Sequence, residues 1–125
     1  RYKDYVMLYL LSVIVRRFEQ DKTPQTAQEM AIQDRLPIRL VQQLLSRLEE
    51  TNIIRRVYVE QEEDETFVPA LDTRKITVDM VVGRISAQGT EEFLQHTPPQ
   101  MHAFWKRYLQ MCEANTSDNI LVSDL

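Results

Sequence analysis

The sequence is poor in the residues that would support a disulfide-linked, metal-bound or turn-rich fold. Its single cysteine, Cys112, can form no internal disulfide and supplies no pair of thiolates for a structural zinc site. Two glycines and five prolines in 125 residues are too few for the many tight turns of an all-β barrel. The composition therefore favours a mainly helical domain, and a chain of this length buries one core.

Long apolar runs are also absent. The longest spans residues 5–15 and is closed by Arg16 and Arg17. This run is shorter than the ~17 residues that a membrane-spanning helix needs, so the sequence predicts no membrane span. The chain begins at Arg1 without a methionine or a signal-peptide pattern, which suggests a piece of a longer protein.

Charge is distributed unevenly along the chain, which has a formal net charge of −4. Residues 1–59 carry ten Lys or Arg against seven Asp or Glu, whereas residues 60–125 carry five against twelve. The first half is therefore basic and the second half acidic, an asymmetry that bears on any contact with nucleic acid.

Apolar spacing predicts three helices in the first half of the chain. The first covers about residues 4–20, with apolar positions 6, 10, 13, 14 and 18 facing inward. Thr26 and Glu29 have the spacing of a capping box, so a short second helix begins there and ends near Asp34. Pro37 suits the first position of a third helix, whose apolar positions 38, 41, 44, 45 and 48 form one stripe.

The apolar period changes to two after residue 52. Residues 53–59 and 66–70 are predicted as the strands of a hairpin with a polar tip at 60–65, and Pro69 confines its strand to an edge or an end. A fourth helix is predicted from Thr77 to Gly89, followed by a short turn over 91–94. Thr97 opens a fifth, amphipathic helix, and residues 115–125 are expected to form a flexible tail.

This order of elements predicts an α+β winged helix-turn-helix fold, with a three-helix core, a β-hairpin wing and additional C-terminal helices. Residues 1–94 form the expected winged-helix domain. Residues 95–125 form the expected C-terminal amphipathic helix and tail, packed on the same domain.

Several short segments carry a resemblance to a known family. They are residues 1–3, 16–18, 26–31, 36–41, 67–70 and 75–78. Together they resemble the C-terminal cytosolic region of the YihY/BrkB membrane proteins, also called ribonuclease BN-like. The resemblance implies upstream transmembrane segments in the same polypeptide and a location at the cytoplasmic face of a bacterial inner membrane. It covers residues 1 to about 94 and leaves the fifth helix unexplained.

A DNA-binding function depends on the outer face of the third helix. The candidate recognition surface comprises Arg39, Gln42, Gln43, Ser46 and Arg47. These side chains suit base edges and phosphates, although any exposed helix face is polar. The hairpin tip carries Glu60, Glu62, Glu63, Asp64 and Glu65, which would repel a phosphate backbone. DNA binding by a winged-helix transcription regulator is therefore kept as the alternative hypothesis.

Catalysis is not expected, since no group of residues has the spacing of a nuclease centre. His96 and His102 are six residues apart and lack the spacing that aims two imidazoles at one metal ion. The acidic tip lacks the glycine and the spacing of a calcium-binding EF-hand loop. No catalytic residue, metal site or cofactor is therefore predicted.

The main functional hypothesis is a non-catalytic cytosolic module that acts by protein contact or self-association. Its candidate partner surface is the aromatic stripe of the fifth helix, which contains Phe104, Trp105 and Tyr108. The same stripe could instead pack on the first helix as part of the core, and the sequence leaves both alternatives open.

Overall fold

The computed structural model describes residues 2–60, 63–96, 98–101, 103–104, 106–107 and 120–125, with the backbone alone for 90–94. Its helices are α1 (Tyr2–Glu19), α2 (Ala27–Gln33), α3 (Ile38–Glu50) and α4 (Val78–His96). Its strands are β1 (Ile54–Val57) and β2 (Thr66–Pro69). Single 3-10 turns lie at Thr73–Lys75, Pro99–Met101 and Val122–Asp124.

The core is built around α1, which contacts α3, β2 and the last 3-10 turn. Leu10, Leu11 and Val15 of α1 are completely buried. The predicted inward position of Phe18 is wrong, because that ring is 54% exposed. Helix α1 is apolar on most of its circumference, so its spacing alone does not show which apolar residues meet α3.

The two strands form the predicted hairpin, and Pro69 lies at the end of its strand as predicted. The strands are antiparallel, with Ile54 opposite Pro69 and Val57 opposite Thr66. Thr66 also pairs with Thr26 through an isolated bridge, so the chain before α2 lies along the free edge of β2. Pro69 ends β2, where its missing amide hydrogen removes no further strand pairing.

Helix α4 is longer than its sequence pattern predicts. Thr77 caps it as expected, since its Oγ1 accepts a hydrogen bond of 3.2 Å from the amide of Met80. The predicted end at Gly89 and the turn over 91–94 are wrong, because the helix continues to His96. Gly89 does not adopt a positive φ, so it does not terminate the helix.

The last six residues are folded against the domain, where the sequence suggested a flexible tail. Val122 is completely buried, and its amide donates to the carbonyl of Ile76 over 3.0 Å. The amide of Val78 donates to the carbonyl of Ile120 over 2.8 Å. Most of the predicted fifth helix lies outside the described residues, and the division at residue 94 stays a prediction.

These elements confirm the α+β winged helix-turn-helix prediction: three helices, a hairpin wing and a further helix in the expected order. Within the described ranges, every helix is too short or too polar to cross a membrane.

Candidate nucleic-acid interface

Helices α2 and α3 form a helix-turn-helix unit whose start is fixed by local hydrogen bonds. The amide of Glu29 donates to Thr26 Oγ1 over 3.1 Å, and the Thr26 amide donates to Glu29 Oε1 over 3.0 Å. This is the predicted capping box, in which two otherwise unpaired amides are satisfied. Thr26 is buried, so the cap also anchors α2 to the wing.

A tight turn sets the direction of α3. Arg35 adopts a left-handed conformation with φ 52°, and the Leu36 amide donates to the Ala31 carbonyl over 2.9 Å. Pro37 is the N-cap, with an extended backbone, and α3 begins one residue later than predicted, at Ile38. Because no side chain caps α3, its first turn leaves backbone amides facing outward.

Helix α3 divides into a buried stripe and a polar face, as its spacing predicts. Its buried side chains are Val41, Leu44, Leu45 and Leu48. On the other face, Arg39, Gln42, Gln43 and Arg47 are exposed, whereas Ser46 is half-buried. Between residues 35 and 48 the chain contains three arginines and no carboxylate.

Ser46 is half-buried because Arg56 of the wing reaches it. Arg56 Nη2 lies 3.4 Å from Ser46 Oγ, and Arg56 Nε donates to both carboxylate oxygens of Glu49 over 2.8 and 2.9 Å. Arg56 Nη1 donates to Glu65 Oε2 over 3.0 Å. The guanidinium also lies 5.2 Å from the centre of the Phe67 ring. Arg56 therefore connects α3 to both strands of the hairpin.

These contacts change the electrostatics of the wing. Hydrogen bonds from Arg56, and then from the Tyr58 hydroxyl, hold the pKa of Glu65 below its usual range. Hydrogen bonds to Glu49 and Glu65 raise the pKa of Arg56. Two of the carboxylates near α3 are thus paired with one guanidinium, while Glu63 and Asp64 at the tip are exposed. Glu62 lies outside the described residues.

Sequence reasoning did not find the Arg56 network. The signal that could have shown it is the strand register: residues 54 and 56 share one face of β1, and Arg56 lies opposite Phe67 of β2. A groove of about 290 Å³ lies beside this face, between the start of α2, Gln42 of α3 and the hairpin tip.

Neither a metal centre nor a buried catalytic group is found in the described part of the chain. No group of three His, Cys, Asp or Glu side chains there could hold a metal ion. His96 is exposed at the end of α4, and His102 lies outside the described residues. The prediction of no cofactor remains a prediction.

The candidate partner surface is only partly covered by the structure. Phe104 is 74% exposed, whereas Trp105 and Tyr108 lie outside the described residues. Its role in partner binding stays a prediction.

No family model matches the sequence, and no curated protein does. Solved structures match almost the whole chain. T. potens IscR aligns with a TM-score of 0.65 and 17% identity, over 99% of this chain and 82% of that one. Staphylococcus aureus CymR aligns with a TM-score of 0.63 and 15% identity, over 98% of this chain and 93% of that one. CymR (YrzC), the global cysteine regulator of B. subtilis, aligns with a TM-score of 0.60 and 15% identity, over 98% of this chain and 88% of that one.

These likenesses correct the resemblance to the YihY/BrkB family. That resemblance is wrong, because the structural neighbours over the full chain are winged-helix regulators and no family model supports the membrane family. The functional predictions that followed from it are wrong as well: a membrane-protein module, upstream membrane segments as partners, and a place at the inner membrane.

The prediction that the acidic hairpin disfavours DNA is also wrong, since the same neighbours are regulators. The physical reason lies in the wing itself. Glu65 is paired with Arg56, and the unpaired carboxylates Glu63 and Asp64 belong to the hairpin tip, not to α3. Of these three neighbours, the B. subtilis protein is named as a regulator.

Proposed function

We propose that this chain is a non-enzymatic winged-helix transcription regulator of the Rrf2 type, the group of IscR and CymR, and that α3 binds the major groove of DNA. One observation carries the proposal. The polar face of α3 is exposed, it begins at the helix-turn-helix turn, and its first three turns carry arginines without a carboxylate. In helix-turn-helix proteins the N-terminal part of the second helix contacts base edges.

The side chains of this face suit different parts of duplex DNA. Arg39, in the first turn, has the forked geometry that pairs with guanine O6 and N7, and Gln42 and Gln43 can pair with adenine N6 and N7. Arg47, two turns further along the helix, is suited to a phosphate contact. The Ser46 hydroxyl accepts a hydrogen bond from Arg56, so Ser46 helps to position the wing against α3. The base contacts are then made by the other polar side chains of this face.

The acidic tip is compatible with this mode of binding. Its exposed carboxylates, Glu63 and Asp64, lie across the groove from Gln42, and salt screens charges separated by more than about 8 Å at physiological ionic strength. Repulsion therefore acts only where the tip itself approaches phosphate. We propose that α3 provides the main contact and that the tip stays outside the phosphate track.

The test begins with selection of duplexes from a random library by the wild-type chain. We expect an enriched sequence that binds with a sub-micromolar Kd at ~0.1 M salt, tighter than the ~10⁻⁴ to 10⁻⁶ M of non-specific contact. Arg39→Ala should weaken binding by about 5- to 150-fold, the range for loss of a base-reading arginine. Arg47→Ala should reduce the salt slope by about one.

Arg74→Ala is the matched control, because it removes the same charge from an arginine whose side chain is 83% exposed and paired with Asp72. Thr73, next to Arg74, is hydrogen-bonded to Glu19 at the C-terminal end of α1. Arg47 lies near the N-terminal end of α1, in a cleft that Lys3 also lines. The two ends of α1 are about 24 Å apart at 1.5 Å per residue. Failure to enrich any duplex, or equal losses for Arg39→Ala and Arg74→Ala, would contradict the proposal.

A further inference from the structure

An apolar hollow lies directly beside the first turn of α3. It has a volume of about 370 Å³ and is lined by Gln28, Ala31, Ile32, Leu36 and Ile38. Ile32 is 78% exposed and Ile38 is 37% exposed. The sequence pattern placed Ile38 in the buried stripe, whereas the structure leaves both side chains partly at the surface.

The exposure of these two side chains follows from the geometry of the turn. Ile32 lies in the last turn of α2, next to the buried pair Met30 and Ala31, and its own side chain is exposed. Ile38 is the first residue of α3, with Val41 of the buried stripe and Gln42 of the polar face both one turn further along, so its side chain lies at the border between the two faces. The two isoleucines line the same hollow and form a small apolar patch at the surface of this unit.

The position of the hollow restricts what can fill it. Ile38 is followed by Arg39, and Gln42 lies one turn further along the same side of α3. Any duplex read by Arg39 and Gln42 therefore brings the edges of adjacent bases to Ile38. The 5-methyl group of thymine is the apolar feature that the major groove presents there.

We infer that Ile38, supported by Ile32, is a specificity-determining residue that selects thymine through its methyl group. The inference rests on the proposed DNA-binding function and adds to it the identity of a preferred base. A shallow hollow accepts a methyl group without requiring burial of a polar atom, and Gln28 at its rim can face the neighbouring phosphate.

The experiment uses the duplex enriched by the wild-type chain, with each thymine replaced in turn by deoxyuridine. This change removes one methyl group and keeps the base pair and its O4 acceptor. We expect affinity to fall about fourfold at one or two adjacent positions, the factor that burial of one methyl group supports. Elsewhere in the duplex the replacement should have no effect.

The variant Ile38→Ala then connects the effect to this residue. It should weaken binding to the thymine duplex by a similar factor and should bind the thymine and deoxyuridine duplexes equally well. Val82→Ala is the control, since Val82 is 41% exposed and lies two residues before Arg84, which contacts the far end of α3. That variant should retain the full thymine preference.

The outcomes separate the two proposals. If no duplex is enriched, the proposed function fails. If a duplex is enriched but deoxyuridine has no effect, or if Ile38→Ala keeps the thymine preference while its circular dichroism and thermal midpoint match the wild type, the inference is overturned and the DNA-binding function stands. Binding of a protein at the hollow, blocked by Ile32→Ala and independent of duplex, would also overturn it.

Discussion

Truncation of Val122 tests whether the C-terminal segment is part of the fold. Its side chain is completely buried, and its amide is bonded to the carbonyl of Ile76, which is also completely buried. The segment contacts α1, so Val122 joins parts of the chain that are far apart in sequence. Val122→Ala removes two methyl groups from this contact and leaves the backbone hydrogen bonds in place.

The cost can be worked from these contacts. Two buried methyl groups contribute about 1.6 kcal/mol of transfer free energy at ~0.8 kcal/mol each. The cavity they leave adds a smaller term, because an exposed terminal segment can move inward and fill part of it. We therefore expect the free energy of unfolding to fall by about 2 kcal/mol. Ile120→Ala, in the same segment, should cost less, about 1 kcal/mol, because Ile120 is 43% exposed.

Urea denaturation followed by circular dichroism measures both variants. With a slope of about 2 kcal/mol/M, Val122→Ala should shift the midpoint by about 1 M and leave the slope unchanged. Equal midpoints for Val122→Ala, Ile120→Ala and the wild type would refute the packing of this segment, and residues 120–125 would then behave as the flexible tail that their sequence suggested.

Two further predictions concern the turn and the wing. Arg35→Gly should raise the free energy of unfolding by about 0.5–1 kcal/mol, because Arg35 has a left-handed backbone with φ 52° that glycine adopts without steric cost. Gln43→Gly within α3 should lower the free energy of unfolding by about 1 kcal/mol. Urea denaturation should therefore show changes of opposite sign for the two variants. The lowered pKa of Glu65 means that its contact with Arg56 stabilises the fold above the pKa of Glu65 in the unfolded chain. That stabilisation should be lost as the pH falls through the lower folded pKa, so the stability difference between the wild type and Glu65→Gln should shrink on acidification. In an Arg56→Gln background the difference should be small at every pH, and a difference that persists there would contradict the assignment.

The parts of the fold that were predictable are those encoded over a few residues. The Thr26 capping box, the buried stripe of α3 and the hairpin each depend on neighbours within one or two turns of chain. Their hydrogen bonds and burial follow from local spacing. The same reasoning correctly placed Arg39, Gln42, Gln43 and Arg47 on an exposed face.

The parts that were not predictable depend on contacts between distant residues. Val122 is buried against residues about 45 positions earlier in the chain, and three apolar residues in a polar tail carry no period that would indicate this. The Arg56 network needs the strand register as well as the distance from β1 to α3. Ile38 is apolar yet 37% exposed, so the apolar spacing alone assigned it to the wrong environment.

The resemblance to a membrane family failed for a related reason. Its segments include Thr26, which caps α2, Leu36 and Pro37, which form the turn, and Phe67, which is buried under Arg56. Each of these residues performs a task that any winged helix-turn-helix domain must perform. Residues that a fold requires occur in every family with that fold, so they identify the fold and not the function.

The function of a protein with such a fold depends on surface residues that the fold itself does not require. In α3 these are the arginines and glutamines of the exposed face, together with the isoleucine that precedes them. The net charge of −4 and the acidic hairpin describe the whole chain, whereas binding to a duplex depends on the charge of the surface that enters the groove. That surface carries arginine without carboxylate from residue 35 to residue 48, and the carboxylates that flank it along the chain, Asp34 and Glu49, accept hydrogen bonds from Tyr9 and Arg56. We therefore expect the charge of this surface, more than the overall acidity of the chain, to determine whether the chain binds a duplex.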